Sequence, residues 1–534
     1  MKKTLILSSF LLLTSLIGYL SYLKINKSNT PRLLSRCMHN MVVNIDPCKI
    51  SNLSEKAVVS EIFEGLMVRT QSGQVKPSAA NVTNYTLSDD KLSYTFNLNP
   101  AARWSNGDAL TAKDFAYSLK RMLKPKNKCQ EAFLLFCIKG AKNYYNQNGK
   151  GKIGIKALNN HTLLLRLNKP TPYFTEILAA AVVSPVHKKT IKIHGKKWTH
   201  TKHIVTNGPY KVSDYVPNHP ITLVINPYHP QSKHLTNKGF HQISYMFNSR
   251  NTGIVSHFEA NAYDVVQEFD EGKINTIMNK DNFMLDNTLG VYYYAFNMTN
   301  KRFRDNPALR EALHLCINRE HMINTILHGC KKAAYSWVPN GISGYTPPTL
   351  PQQKNKEKRA KELYKQAGYG PNNPFVAKIL YSSTSSCMNR SIALQIAEMW
   401  QRILGIETEY EALEWKAMLS RRTKKEFDII AGSWLGDYGD PTAFLDIFCP
   451  LPDNMPGYNN PAYTNLINRA HSALNNTQRL GLLKQAETIL LKDKPIIPIY
   501  HTTTTILVNK QRVHGWIPNA YGFHPSWDLT YKGA

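Results

Sequence analysis

Past residue 23 the chain never again runs apolar for the length that a membrane crossing needs, about 20 residues, so the remainder is expected to be soluble. Carboxylates are scarce: 37 Asp plus Glu stand against 66 Lys plus Arg in 534 residues, a formal charge of +29. An excess of that size acts on partners through long-range fields and does not define a fold. It attracts anionic envelope polymers, lipid head groups or acidic ligands, or else it reflects a generally basic composition.

Catalytic signatures are missing too. There is no G-x-S-x-G elbow, no H-E-x-x-H and no Walker loop; Gly341-Ile-Ser343-Gly344 is elbow-like only superficially and lies in a Pro-rich stretch. No cysteines have C-x-x-C zinc spacing, and internal repeats and low-complexity domains are lacking. The expectation is a protein that is not an enzyme and needs no cofactor or metal. His314, His321 and His328 recur every seventh residue, but seven helical residues rise about 10.5 Å, too far to share one ion at bonds of about 2 Å. They read as a polar helix face, and the basic, His-rich stretch 187–203 as a solvated loop.

What is present begins with Met1-Lys2-Lys3 and an apolar run over residues 4–23, an export signal. No small-x-small cleavage site follows, and Cys37 lies too far downstream to carry a lipid at a signal boundary. Residues 1–30 are therefore expected to be a signal or, preferentially, an uncleaved anchor with its start inside. Export makes nucleic acid an improbable partner. The remaining length predicts two or three domains. The eight cysteines, at 37, 48, 129, 137, 316, 330, 387 and 449, allow local loops by pairing 37 with 48, 129 with 137 and 316 with 330, or equally free buried thiols.

Helix signals alternate with strand-like runs. Thr111-Ala-Lys-Asp114 resembles a capping box opening a helix through Phe115, Leu119 and Met122. Asn306-Pro307 opens another, a third runs toward Gly368, and a fourth covers residues 390–404 before Gly405. Strands are predicted at residues 92–98, 162–167, 221–225, 427–431 and 496–500, with exposed loops at 124–128 and 345–358. The mixture predicts α/β lobes with ligand sites where strand ends meet loops.

The segment 427–441, FDIIAGSWLGDYGDP, reads as a strand entering a loop. Gly432, Gly436 and Gly439 permit close backbone approach, Trp434 and Tyr438 offer aromatic walls, and Asp437 sets a carboxylate among them. Such a loop suits a cationic group, or is simply a turn whose aspartates bond local amides.

Eight motifs in order complete the pattern: Asp46-Pro47, residues 61–66 (EIFEGL), 104–108 (WSNGD), 111–118, 206–210 (TNGPY), 292–294, 414–416 (EWK) and 436–444. Together they resemble the oligopeptide-binding proteins of the dipeptide/oligopeptide class of bacterial ABC-transporter receptors, solute-binding protein family 5, over nearly everything after residue 40. The resemblance implies a two-lobe periplasmic-binding-protein-like α/β fold with an inserted domain: lobe I from residues 31–67, 199–288 and 504–534, domain II over 68–198 and lobe III over 289–503, with hinge crossings at 290–293 and 502–504. It implies a monomeric extracytoplasmic receptor that takes short peptides by main-chain strand addition and delivers them to an inner-membrane permease and ATPase.

By the same resemblance Asp437 pairs with the peptide α-ammonium. Tyr293, Trp415 and Trp434 match aromatic cleft positions, Glu55 and Arg422 charged pocket positions, and Asn389 a pocket histidine. Tyr293 and Trp415 equally suit plain packing, and Arg422 a solvated face. Ala431 stands where some members carry an arginine for the peptide's carboxyl end. A murein tripeptide is the alternative cargo, for which Arg422 would meet an extra carboxylate; a basic surface adhesin is the alternative of another class.

Overall fold

Residues Val291, Tyr292, Tyr293, Tyr294, Ala295 and Phe296 form an unbroken apolar run, and all six are buried. A strand covered on both faces has no need to alternate. In the computed structural model, which describes residues 31–248, 253–269, 273–349, 354–383, 386–450 and 454–532, this run is part of the strand Phe283–Phe296. It pairs antiparallel with the strand Ile496–Val508, which outruns the expected 496–500 by eight residues.

These two strands are the middle of one mixed sheet. On one side stand Ile429–Leu435, Val376–Ser382 and Glu407–Leu413; on the other stand Val265–Gln267, Leu33–Met38, Gln242–Phe247, Ile221–Ile225 and Tyr210–Asp214. The capping box is present: the Thr111 amide and hydroxyl both donate to Asp114, at 2.9 and 2.8 Å, starting the helix Ala112–Met122. The Asn306 side chain caps Pro307–Leu315 by accepting from the Leu309 amide. The remaining expected helices are Lys356–Gln366 and Ser386–Leu404, the latter stopping at Gly405 with φ +71°. The loop expected to reach residue 358 therefore gives way to helix at Lys356.

Apolar packing separates into two large cores and one small one. The first gathers residues from Leu289 to Tyr500; the second joins residues 34–245 with the C-terminal stretch that includes Ile506, Val508, Val513 and Leu529. Residues 68–198 carry their own sheet, in the order Val82–Leu87, Ser93–Leu98, Thr162–Arg166, Ile155–Ala157. Their apolar side chains nonetheless run continuously into the second core. Among the described residues, only the two long strands carry the sheet from one large core to the other. There the pairing shifts register between Asn287 and Val291. Gly290 sits in that shift, and a methyl group added to it would collide with the Thr502 hydroxyl and come within 2.5 Å of Leu435.

Several expectations need correction. The histidines do not share one helix: His314 ends Pro307–Leu315, His321 lies in Arg319–Thr325, and His328 occupies a left-handed turn at φ 47°. The stretch 187–203 is not all loop, since it forms the helix Lys188–His194 and stacks His194 on His203 at 3.8 Å. Cys37 and Cys48 belong to different cores, as do Cys316 and Cys330, so neither local pair forms. Instead Cys48 and Cys129, both free thiols, lie close enough to act on each other's titration, which is raised at Cys48 and lowered at Cys129. The signal or anchor lies outside the described residues, among which no helix is long and apolar enough to cross a membrane.

Candidate functional site

A cavity of about 870 Å³ opens between the two large cores, over the paired strands. That volume lies in the range of small-ligand sites, about 300–1,000 Å³. Arg36, Glu61 and Tyr245 line it from one side, and Trp415, Gly436 and Asp437 from the other; Thr502, Thr503 and Thr504 are at the crossing.

Asp437 stands on the loop that leaves the strand Ile429–Leu435. The loop is held from within. The Gly436 amide donates to the Leu289 carbonyl at 2.8 Å, and a side chain on Gly436 would come within 2.6 Å of Phe444. Three residues on, Asp440 is buried and takes both guanidinium nitrogens of Arg479, at 3.0 and 2.5 Å, while also accepting from the Thr442 amide and hydroxyl. The two aspartates of the loop after the strand thus divide the two readings of their sequence: Asp440 fixes the turn, and Asp437 is left facing the cavity.

Asp437 is exposed to the water of the cavity. Lost solvation raises its pKa first, Glu131 raises it further, and Lys56 opposes both. Lys56 and Glu131 pair with each other at 2.9 Å. A carboxylate whose charged form is disfavoured, partly by a neighbouring anion, is favourably placed to receive a cation.

The other expected site residues divide. Trp415 is 44% exposed and lines the cavity. Asn389 lines it too, with its amide 3.4 Å from the Ser382 carbonyl. Ala431 lies in the wall. Trp434 points its indole N–H at the Ala443 carbonyl, 2.8 Å away, bracing the Asp437 loop from outside the lining. Tyr293 is core, edge-on to Trp337 at 4.9 Å, and its hydroxyl senses the charge of Arg422, which is also outside the lining. Glu55 is fully buried and away from the cavity. It accepts from the amides of Val43, Asn44 and Ser51 and from the Ser51 hydroxyl, closing the loop before its own helix, Leu53–Ile62.

Arg36, Glu61 and Tyr245 had no assigned role in the sequence reading, although Glu61 begins the EIFEGL motif. Glu61 is buried, which raises its pKa against the pull of Arg36, and accepts from the Tyr245 hydroxyl at 3.0 Å and the Ser526 amide at 2.9 Å. Arg36 donates to the His524 carbonyl at 2.8 Å. Strand pairing sets residue 36 beside residue 245, and side-chain hydrogen bonds bring in residue 526 from the far end of the chain, so no local spacing announces the cluster. Tyr438 was noted only as an aromatic wall; it stacks on Tyr173 at 4.7 Å, bringing the inserted segment against the Asp437 loop. Among the described residues no group of three or more His, Cys, Asp or Glu side chains is placed to hold a metal.

Comparison with known proteins agrees with this architecture. The chain is 30% identical over 513 residues to the periplasmic murein peptide-binding protein MppA of Escherichia coli, covering 93% of this chain and 92% of that one. It is 30% identical over 509 residues to the periplasmic oligopeptide-binding protein OppA of Salmonella typhimurium, covering 92% and 90%. The unliganded open form of the MppA murein tripeptide binding protein superimposes with a TM-score of 0.81 at 28% identity, covering 94% of this chain and 97% of that one. Residues 75–454 match the pattern described as bacterial extracellular solute-binding proteins, family 5 Middle. With a two-core fold, a cavity at the strand crossing and this match over most of its length, the chain belongs to the family 5 bacterial extracellular solute-binding proteins.

Proposed function

We propose that the protein captures short peptides on the outer face of the cytoplasmic membrane and passes them to an ABC permease and its ATPase. The observation that carries this reading is Asp437, a carboxylate with a raised pKa that faces the inter-core cavity. Peptides vary in side chain but share a backbone and a free amino end, so a general receptor holds the constants. In the arrangement here Asp437 still touches water; closure about the two long strands would seal it against the α-ammonium. Trp415 and Asn389 flank the ligand, while Tyr293, Trp434, Arg422 and Glu55 support the walls without touching it. The similar proteins MppA and OppA are named as binding proteins, which supports a receptor and not an enzyme.

The test is calorimetry with a tripeptide in free and N-acetylated form. Stranding one member of a sealed ion pair costs about 3–5 kcal/mol, so Asp437→Asn is expected to weaken free-amino binding by about two to four decades. Acetylation should weaken binding to the natural protein comparably and add little in the variant. Equal affinity for both ligands in the natural protein defeats the reading.

A murein tripeptide is the second reading, favoured by the similarity to MppA in both sequence and fold. Direct competition separates the two: if a murein tripeptide displaces lysine-containing tripeptides at far lower concentration, cell-wall recycling is the primary role.

A further inference from the structure

A second cavity, about 1320 Å³, lies apart from the inter-core cleft and shares no lining residue with it. Seven lysines and Arg121 line it, together with His200 and His203. The only acid in the lining is Asp46, and both its oxygens are already taken by Arg121, at 2.9 and 2.6 Å. None of the seven lysines makes an ion pair among the described residues. They converge from separate parts of the chain: Lys120 from the helix Ala112–Met122, Lys124 and Lys126 from the turn after it, and Lys196 and Lys202 from the stretch that closes on His203.

Crowding like charges in a concave wall raises the free energy of the folded chain, and an anion entering the concavity relieves it. The crowding is visible at Lys120, whose ammonium is held below its usual pKa, first by burial and then by Lys124. Overall basicity accounts for many surface lysines but not for the lack of carboxylate partners here, since lysines elsewhere on the surface pair with carboxylates: Lys280 with Glu259 and Lys378 with Glu409. The width of the cavity and the spread of its cations suit several charges held together rather than a single anion.

We propose that this cavity binds a ligand bearing clustered phosphate groups, either a soluble polyanion or the head groups of anionic membrane lipid, independently of peptide capture. The experiment uses the full chain, titrated with inorganic tripolyphosphate and, separately, with vesicles of phosphatidylcholine with and without phosphatidylglycerol. Any binding to neutral vesicles through residues 4–23 is common to all variants and is subtracted. One variant carries Lys124→Gln, Lys126→Gln and Lys196→Gln. A control carries Lys358→Gln, Lys361→Gln and Lys365→Gln, three exposed lysines remote in sequence, with the same change in net charge.

The cavity variant should bind tripolyphosphate or anionic vesicles about tenfold or more weakly, and the control within about twofold of the natural chain. Tripolyphosphate alone identifies a soluble ligand, and anionic vesicles alone a membrane surface. Binding of neither probe, or an equal loss in both variants, overturns the proposal. Unchanged peptide affinity in the cleft confirms that the cavity variant is folded, whatever the anion result.

Discussion

At the scale of single residues, two buried carboxylates illustrate how a surrounding decides a role. Glu487 sits in the first core, where burial pushes its pKa up to about 7 despite hydrogen bonds from the Trp337 and Val338 amides and the Tyr345 hydroxyl. Between the ordinary glutamate value of about 4.3 and about 7 the folded protein retains a proton that the unfolded chain has released. Stability should therefore fall as pH rises through that window, by up to a few kcal/mol, and level off above it. Denaturant midpoints at about pH 5 and about pH 8 check this, and Glu487→Gln should flatten the difference. Glu55 is the contrasting case. With four local donors it organises a loop, so Glu55→Ala should lower the unfolding midpoint, at a cost of about 1–3 kcal/mol, yet leave peptide affinity per folded molecule unchanged in calorimetry. With Asp437 holding the peptide α-ammonium as proposed, it also sets the pH dependence of binding. Its raised pKa means that affinity for a free-amino peptide begins to fall on acidification at a higher pH than an ordinary aspartate would impose, and Asp437→Asn should remove that dependence.

At the scale of elements, the strand crossing and the Asp437 loop are the parts that position the site. Gly290→Ala puts a methyl group onto Thr502 and Leu435 at the register shift. Overpacking of that kind costs about 1–3 kcal/mol, and the loss should appear both in thermal unfolding and as a changed distribution of open and closed forms in X-ray scattering. Arg479→Ala strands Asp440 in a buried site, costing about 3–5 kcal/mol. Because Asp440 also holds Thr442, the loop should loosen around Asp437 and peptide binding should weaken, although Arg479 itself is outside the cleft lining. Helices were legible from their caps: Thr111 with Asp114, and Asn306 before Pro307, are local signals that need no tertiary partner. Strand ends were less so, because pairing sets them. The Ile496–Val508 strand continues through Thr502, Thr503, Thr504 and Thr505, residues that suit a strand but carry no apolar alternation to announce one.

At the scale of the whole molecule, two cores joined by two strands make ligand-driven closure the expected motion. Scattering should show a smaller radius of gyration with saturating peptide than without, and Asp437→Asn should need a correspondingly higher peptide concentration to reach it. The sequence by itself determined the membership of this family, the α/β character, the positions of the four helices it announced and the placing of Asp437 on a strand-to-loop exit, because each is written in short patterns of caps, turns and alternation. Only the tertiary structure decided which aspartate of the loop fixes the turn and which faces the cavity, that Glu55 and Tyr293 are packed away while Arg36 and Glu61 are brought in, that Cys48 lies by Cys129, and that seven lysines converge where the one acid is already paired with Arg121. Those outcomes depend on residues tens to hundreds of positions apart becoming neighbours, and burial and charge compensation are properties of neighbours in space.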